Sequence, residues 1–327
     1  MKRRHGIFLA AGIGMGLSLL ASQGWAQTFP AQPVRIISPF PAGVGPDVVA
    51  RIVGEKLSAT WKQPVIIDPR PGGNGFISAN AVKQAAPTGY DLWMADIGHL
   101  AISPSLFKKL PYDPKTDFVP VGLLYRPSFF IVVGANSPYR TVKDLITAAA
   151  ASPGKLSYAS NSVGSPLHLG AAQLESASGT KMLHVPYKEL SQAYAAVSTG
   201  DVDWALGSIA SAGPLLKAGK VKFIAVADDV RAKSMPNVPT IEESGGPKSV
   251  KVRSWVSLVA PKGTPAAVVT VLNNGLNDAL KQADVIEKLA TFGFVPDPVT
   301  PAALASLIDS DTVFYAEIVK RTGATAE

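Results

Sequence analysis

Residues Phe40–Asp47, FPAGVGPD, place two glycines and two prolines between an apolar run and a helical pattern. Free N–H groups at a helix start, aided by the helix dipole, bind anions. Gly45 suits the N-cap and Pro46 the first turn. The nucleotide motifs fail, because Val48 stands at the last glycine of G-x-G-x-x-G and no Lys-Ser or Lys-Thr follows. Asp47 would also repel a highly charged phosphate unless it turns away. Two readings therefore stand: a carboxylate cradle, and a tight turn with no ligand.

Residues 157–169, SYASNSVGSPLHL, repeat this design. Ser160, Asn161, Ser162, Val163, Gly164 and Ser165 separate a strand from a helix with Pro166 at its first position. Hydroxyls, an amide and free N–H groups converge there. Two such loops suggest a clamp on one anion.

Arg126 and Arg253 sit on extended runs beside Tyr125 and close to Trp255. Arginine is the preferred bidentate partner of a carboxylate. Each is read either as a ligand contact, or as a member of an interstrand ion pair or a solvated surface charge. His99, His168 and His184 lack metal-ligand spacing. Asp47 with His99 is the one acid–base pair considered for catalysis. Ser211 fails the G-x-S-x-G elbow, since Ile209 stands at the first glycine. Phe40, Tyr125, Phe129, Trp204 and Trp255 are expected either to crowd a cleft or to fill the core.

The elements that position these residues alternate. Strands are expected at 34–40, 64–69 and 91–97, with helices at about 47–60 and 75–85. A second series runs through a helix at 141–152, capped by Thr141 with Asp144 three residues on, then strands at 156–160, 182–187, 202–208 and 221–227 with helices at 165–179 and 189–200. Helical segments at 265–281, 284–292 and 301–321 close the chain. The long extended runs 118–134 and 251–261 bracket the middle block. The expected architecture is α/β: two lobes joined by two crossing strands, with the ligand in the interlobe cleft at strand C-termini. The lobes are expected at 27–125 plus 254–327, and at 126–253.

Lys2, Arg3 and Arg4, the apolar run Ile7–Leu20 and Gly24-Trp25-Ala26 read as a secretory signal peptide over residues 1–26, cut after Ala26. An uncleaved anchor is the alternative, but the run is shorter than the roughly 18 residues a membrane span needs. Without that segment, 28 basic and 24 acidic residues remain, a net charge of +4 rather than +7. The basic residues are scattered, which argues against nucleic-acid binding. The absence of cysteine excludes disulfides, thiolate zinc sites and cysteine nucleophiles. No cofactor or metal is expected.

Further stretches, in order along almost all of residues 33–265, carry a family resemblance: VRIISPFPAG (34–43) with Asp47, RPGGNG (70–75), AAPTGYDL (85–92), SLFKKLPYDPKTDFVPVG (105–122), PGKLSYAS (153–160), HVPYK (184–188), GDVDWAL (200–206), AGKVKFIAV (218–226), MPNVPTIEESG (235–245) and SWVSLVAPKGTP (254–265). The chain resembles the substrate-binding proteins of tripartite tricarboxylate transporters, the TctC or Bug family. The resemblance implies a periplasmic, non-enzymatic receptor with the type II periplasmic-binding fold and Venus-flytrap closure. Such a receptor delivers an organic carboxylate to cytoplasmic-membrane permease subunits. It also implies that Pro41, Ala42, Gly43 and Val44 of one lobe and Ser160, Asn161, Gly164 and Ser165 of the other hold a ligand carboxylate, partly through water.

The chain departs from the family pattern at Val44, Pro69, Glu189, Leu190 and Gln192, and Ser208 takes the polar position after GDVD. Phe40, Asp47, His99, Arg126, Ser208 and Arg253 complete the candidate contacts. The aromatic residues and two arginines lean toward an aromatic dicarboxylate such as terephthalate. A carboxylate receptor for an ABC importer or a sensor kinase, and a periplasmic enzyme, are the rival readings.

Overall fold

The structure, a computed structural model, describes residues 29–326. The expected signal peptide lies outside the described residues.

The first lobe opens with β1 (Val34–Ser38), α1 (Gly45–Trp61), β2 (Val65–Pro69), α2 (Phe76–Lys83), β3 (Asp91–Asp96), α3 (Ser103–Leu106) and β4 (Phe118–Pro127). The second holds β5 (Phe130–Gly134), α4 (Val142–Ala151), β6 (Ser157–Ser160), α5 (Pro166–Ser178), β7 (Leu183–Pro186), α6 (Leu190–Thr199), β8 (Trp204–Gly207), α7 (Ile209–Lys217) and β9 (Val221–Val226). The chain then returns to the first lobe for β10 (Val256–Pro261), α8 (Ala266–Leu280), α9 (Ala283–Thr291), β11 (Phe294–Val295) and α10 (Pro301–Thr322). The two-lobe α/β expectation holds.

The first sheet has the order β11-β4-β10-β3-β1-β2, and the second β7-β6-β8-β5-β9. β1 runs parallel to β2 and β3, while β10 runs antiparallel to β3 and β4. In the second sheet β6 is parallel to β7 and β8, and β5 is antiparallel to β8 and β9. The parallel strands send their C-termini, and the loops after them, to one edge of each sheet. The run 118–134 is not one strand. It breaks at Ser128-Phe129, where the chain changes sheets. The second passage is the segment 250–255, where Val252 N–H bonds Ala227 O and Trp255 O accepts from Ile97 N–H.

Burial explains the elements. Val49, Val53 and Leu57 recur at helical spacing and bury α1 against the first sheet. Each such side chain contributes roughly 1.5–3 kcal/mol on burial. The box at α4 forms as expected, with Asp144 N–H donating to Thr141 and Thr141 N–H donating to Asp144. α10 braces the second passage. Buried Asp311 accepts from Trp255 Nε1 at 2.8 Å and from Arg253 at 3.0 Å, and Tyr315 donates to Arg253 O at 2.6 Å.

Candidate functional site: two strand-end loops

The loop after β1 runs from Pro39 to Val44. Ser38 Oγ accepts from Phe40 N–H at 3.2 Å and turns the chain out of the strand. Gly43 has φ +82°, a conformation that favours glycine. The N-cap is Val44, one residue earlier than expected, and its extended backbone (φ −80°, ψ 163°) admits any side chain. The Val44 side chain is exposed, so only its backbone serves the loop. That accounts for valine at a position where the family resemblance led us to expect glycine.

Asp47 does turn away. It is buried, accepts from Gly43 N–H at 2.9 Å, and is held by Arg51 at 2.9 and 3.1 Å. It fastens the loop from behind and presents no face to a ligand. Pro41, Ala42, Gly43 and Val44 are exposed. Among the described hydrogen bonds, the N–H groups of Ala42, Val44 and Gly45 have no protein partner.

The loop after β6 is built differently. Gly164 has φ +78°, and Ser165 caps α5 by accepting from His168 N–H at 3.2 Å. The hydroxyls of Ser160 and Ser165 both donate to Ser162 O, at 3.0 and 3.1 Å. Their protons are therefore turned into the loop. The outward donors are backbone N–H groups, those of Ser162 and Val163 having no partner among the described bonds. Asn161 Oδ1 is buried without a protein partner, an acceptor awaiting a donor.

The lobes touch beside both loops. A Cβ at Gly45 would lie 3.3 Å from the Ala210 Cβ at the start of α7, and one at Gly293 would lie 2.8 Å from Ile209 Cδ1. A Cβ at Gly164 would overlap Leu106 of α3. Ser208 caps α7 in a reciprocal box with Ser211, whose hydroxyl also meets Tyr194 OH at 3.0 Å.

Other candidates sit elsewhere. His99 pairs with Asp96 at 2.6 Å, and a Cβ at Gly75 would overlap its Nε2, so its outer edge is walled by backbone. Burial pushes the Asp96 carboxyl up, but the His99 ring and hydrogen bonds from His99 and Gly98 leave it below the usual carboxylate range. His99 and Asp47 each hold local structure and are not brought into an acid–base pair. Phe40 meets His99 edge-on, with centroids 6.1 Å apart.

Arg126 pairs with Asp297 at 2.6 Å, and Arg253 pairs with Asp311 while lying over the Phe314 ring. Both arginines are therefore engaged in ion pairs, with partners on the segment after β11 and on α10 rather than on a neighbouring strand as expected. Tyr125, Trp204 and Trp255 are wholly buried and belong to the cores; Phe129 packs on the second-lobe core. Only Phe40 of the aromatic set belongs to either loop.

The sequence reading missed Arg51, although its i,i+4 spacing from Asp47 was a usable signal. It named His168 and His184 but gave neither a role at the loop, although His168 stands only four residues from Gly164, and it missed Leu106; His184 and Leu106 reach the second loop from elements that no local spacing connects.

Residues 49–324 match the model of the TctC family, described as the tripartite tricarboxylate transporter family receptor. A UPF0065 protein from the tcbD-tcbE intergenic region of Pseudomonas sp. (strain P51) is 34% identical over 309 residues, covering 94% of this chain and 92% of that one. Two solved structures from Rhodopseudomonas palustris superpose closely. Rpa4515 with adipate gives a TM-score of 0.83 at 29% identity, covering 91% of this chain and 99% of that one. MatC (Rpa3494) with bound malate gives 0.78 at 30%, covering 89% and 100%. The chain belongs to the tripartite tricarboxylate transporter family of receptors.

Proposed function

We propose that this protein is a periplasmic receptor that captures an organic dicarboxylate between its lobes and delivers it to the membrane permease of a tripartite transporter. One observation carries the reading. Each lobe ends a parallel strand in a loop at a helix N-terminus, exposed in the first lobe and buried or half-buried apart from Val163 in the second, with backbone N–H groups that find no protein partner. Such groups recognise the two oxygens of a carboxylate without a lysine or a metal. The buried Asn161 Oδ1 takes a hydrogen bond from an ordered water or a ligand hydroxyl.

Adipate and malate, bound by the two structural relatives, are dicarboxylates, and this supports that ligand class. The leaning toward terephthalate now rests on Phe40 alone among the aromatic residues, because the others fill cores.

Calorimetric titration of residues 27–327 with adipate, malate, terephthalate, citrate and inorganic phosphate tests the proposal. Saturable binding of a dicarboxylate, with phosphate silent, is the expected result. Binding of no carboxylate, or of phosphate as tightly, would overturn it. Terephthalate failing where adipate or malate succeeds would remove the aromatic version alone.

A further inference from the structure

Two histidine rings stand behind the second loop and grip it at opposite ends. His168, on the first turn of α5, is buried, and its Nδ1 accepts from Gly164 N–H at 3.0 Å. His184, on the neighbouring β7, brings Nε2 within 2.7 Å of Ser160 Oγ. The rings stack at 4.1 Å, and Tyr158 lies 5.0 Å behind His184.

The hydrogen-bond inventory constrains the proton positions. An N–H donor requires a lone pair on His168 Nδ1, so His168 is neutral with its proton on Nε2. With the single Ser160 hydroxyl proton given to Ser162 O at 3.0 Å, the matching tautomer of His184 has Nε2 donating to Ser160 Oγ. Burial and the neighbouring His184 lower the His168 pKa to about 4, consistent with a neutral ring.

We propose that His168 and His184 are positioning residues of the carboxylate site. Their ring nitrogens hold Gly164 N–H and the Ser160 hydroxyl inward, so that the donors the loop leaves for the ligand are backbone N–H groups, those of Ser162 and Val163 among them. The proposal rests on the carboxylate reading above. A ring that merely filled space would need no nitrogen, whereas here both rings aim one at a loop atom.

The test exploits where each nitrogen lies. Asparagine sets an amide oxygen near the position of Nδ1, and glutamine sets an amide nitrogen near that of Nε2. Adipate, malate and terephthalate are titrated into His168→Asn, His168→Gln and His168→Leu, and into the same three substitutions at His184. Thermal melts confirm that each variant is folded.

A crossed pattern is expected. His168→Asn and His184→Gln stay within about threefold of wild type, and the other four weaken binding about tenfold or more. Hydrogen exchange at the Gly164 amide needs no ligand. It stays slow in wild type and His168→Asn, and becomes fast in His168→Gln and His168→Leu. Equal affinity and equal Gly164 exchange for the asparagine, glutamine and leucine variants would overturn the proposal. Failure of wild type to bind any carboxylate would instead defeat the functional reading, while Gly164 exchange still decides whether His168 holds the loop.

Discussion

The two loops are fastened by opposite means. The loop after β1 is held by charge, with buried Asp47 gripping Gly43 N–H and Arg51 gripping Asp47 with two hydrogen bonds. The loop after β6 is held by neutral groups, two histidine rings and two serine hydroxyls. An uncompensated carboxylate about 5 Å from a bound anion would cost on the order of 3 kcal/mol at an effective dielectric near 20. Arg51 offsets that cost at the first loop, and the second avoids it by using no charge. On the proposed reading, an anion site can contain a buried acid, provided that the acid faces inward and carries its own cation.

The largest contrast is expected from the glycines. Gly43→Ala meets no neighbour, so it bears only the strain of φ +82°, roughly 1–2 kcal/mol, or about tenfold in affinity. Gly164→Ala bears similar strain and also overlaps Leu106 of the other lobe, so it should weaken dicarboxylate binding on the order of 100-fold. Calorimetry checks both, and Leu106→Ala should recover only the steric part. Equal losses at the two glycines would show that lobe contact at Gly164 does not matter.

Next comes Asp47→Ala, which releases Gly43 N–H and should cost about 1–3 kcal/mol of stability in denaturant unfolding. No acidic side chain is bonded to the second loop among the described hydrogen bonds, so that loop has no equivalent substitution.

The neutral loop should show its own signature in pH. His168 has a folded pKa lowered to about 4 from 6.5 by burial and by His184. The unfolded chain therefore binds the proton first. Stability is whole above about pH 6.5 and falls as pH drops toward 4, by up to ~1.4 kcal/mol per unit from this group. Thermal melts of wild type and His168→Asn across that window should diverge, with the variant shallower. Parallel curves would remove His168 from the account.

The smallest effect belongs to Arg126→Ala. Its pair with Asp297 is partly solvated, so stability should change by less than about 1 kcal/mol and affinity should stay unchanged in calorimetry. A tenfold loss of affinity would return that guanidinium to the ligand.

Sequence pattern reached the alternation of strands and helices, both glycine loops and the box at Thr141 and Asp144, because each is a local property of spacing. It missed α7, where Gly213 and Pro214 interrupt the helical signal yet Ser208 and Ser211 still cap the start. Side-chain direction was harder still. Asp47 was placed among the ligand contacts, yet its partners turn it away from the loop's outer face. Arg126 finds Asp297 across 171 positions and Arg253 finds Asp311 across 58, distances at which no periodicity speaks. Trp204 and Trp255 look alike in a cleft or a core until packing is known.

The central claim is that one carboxylate is held by backbone N–H groups of both loops. Amide chemical shifts followed during titration of adipate, malate or terephthalate into residues 27–327 test it directly. The account predicts that Ala42, Val44, Gly45, Ser162 and Val163 shift together along one saturation curve, while the side-chain signals of Arg126 and Arg253 stay in place. Shifts confined to one loop, or centred on the two arginines, would contradict it.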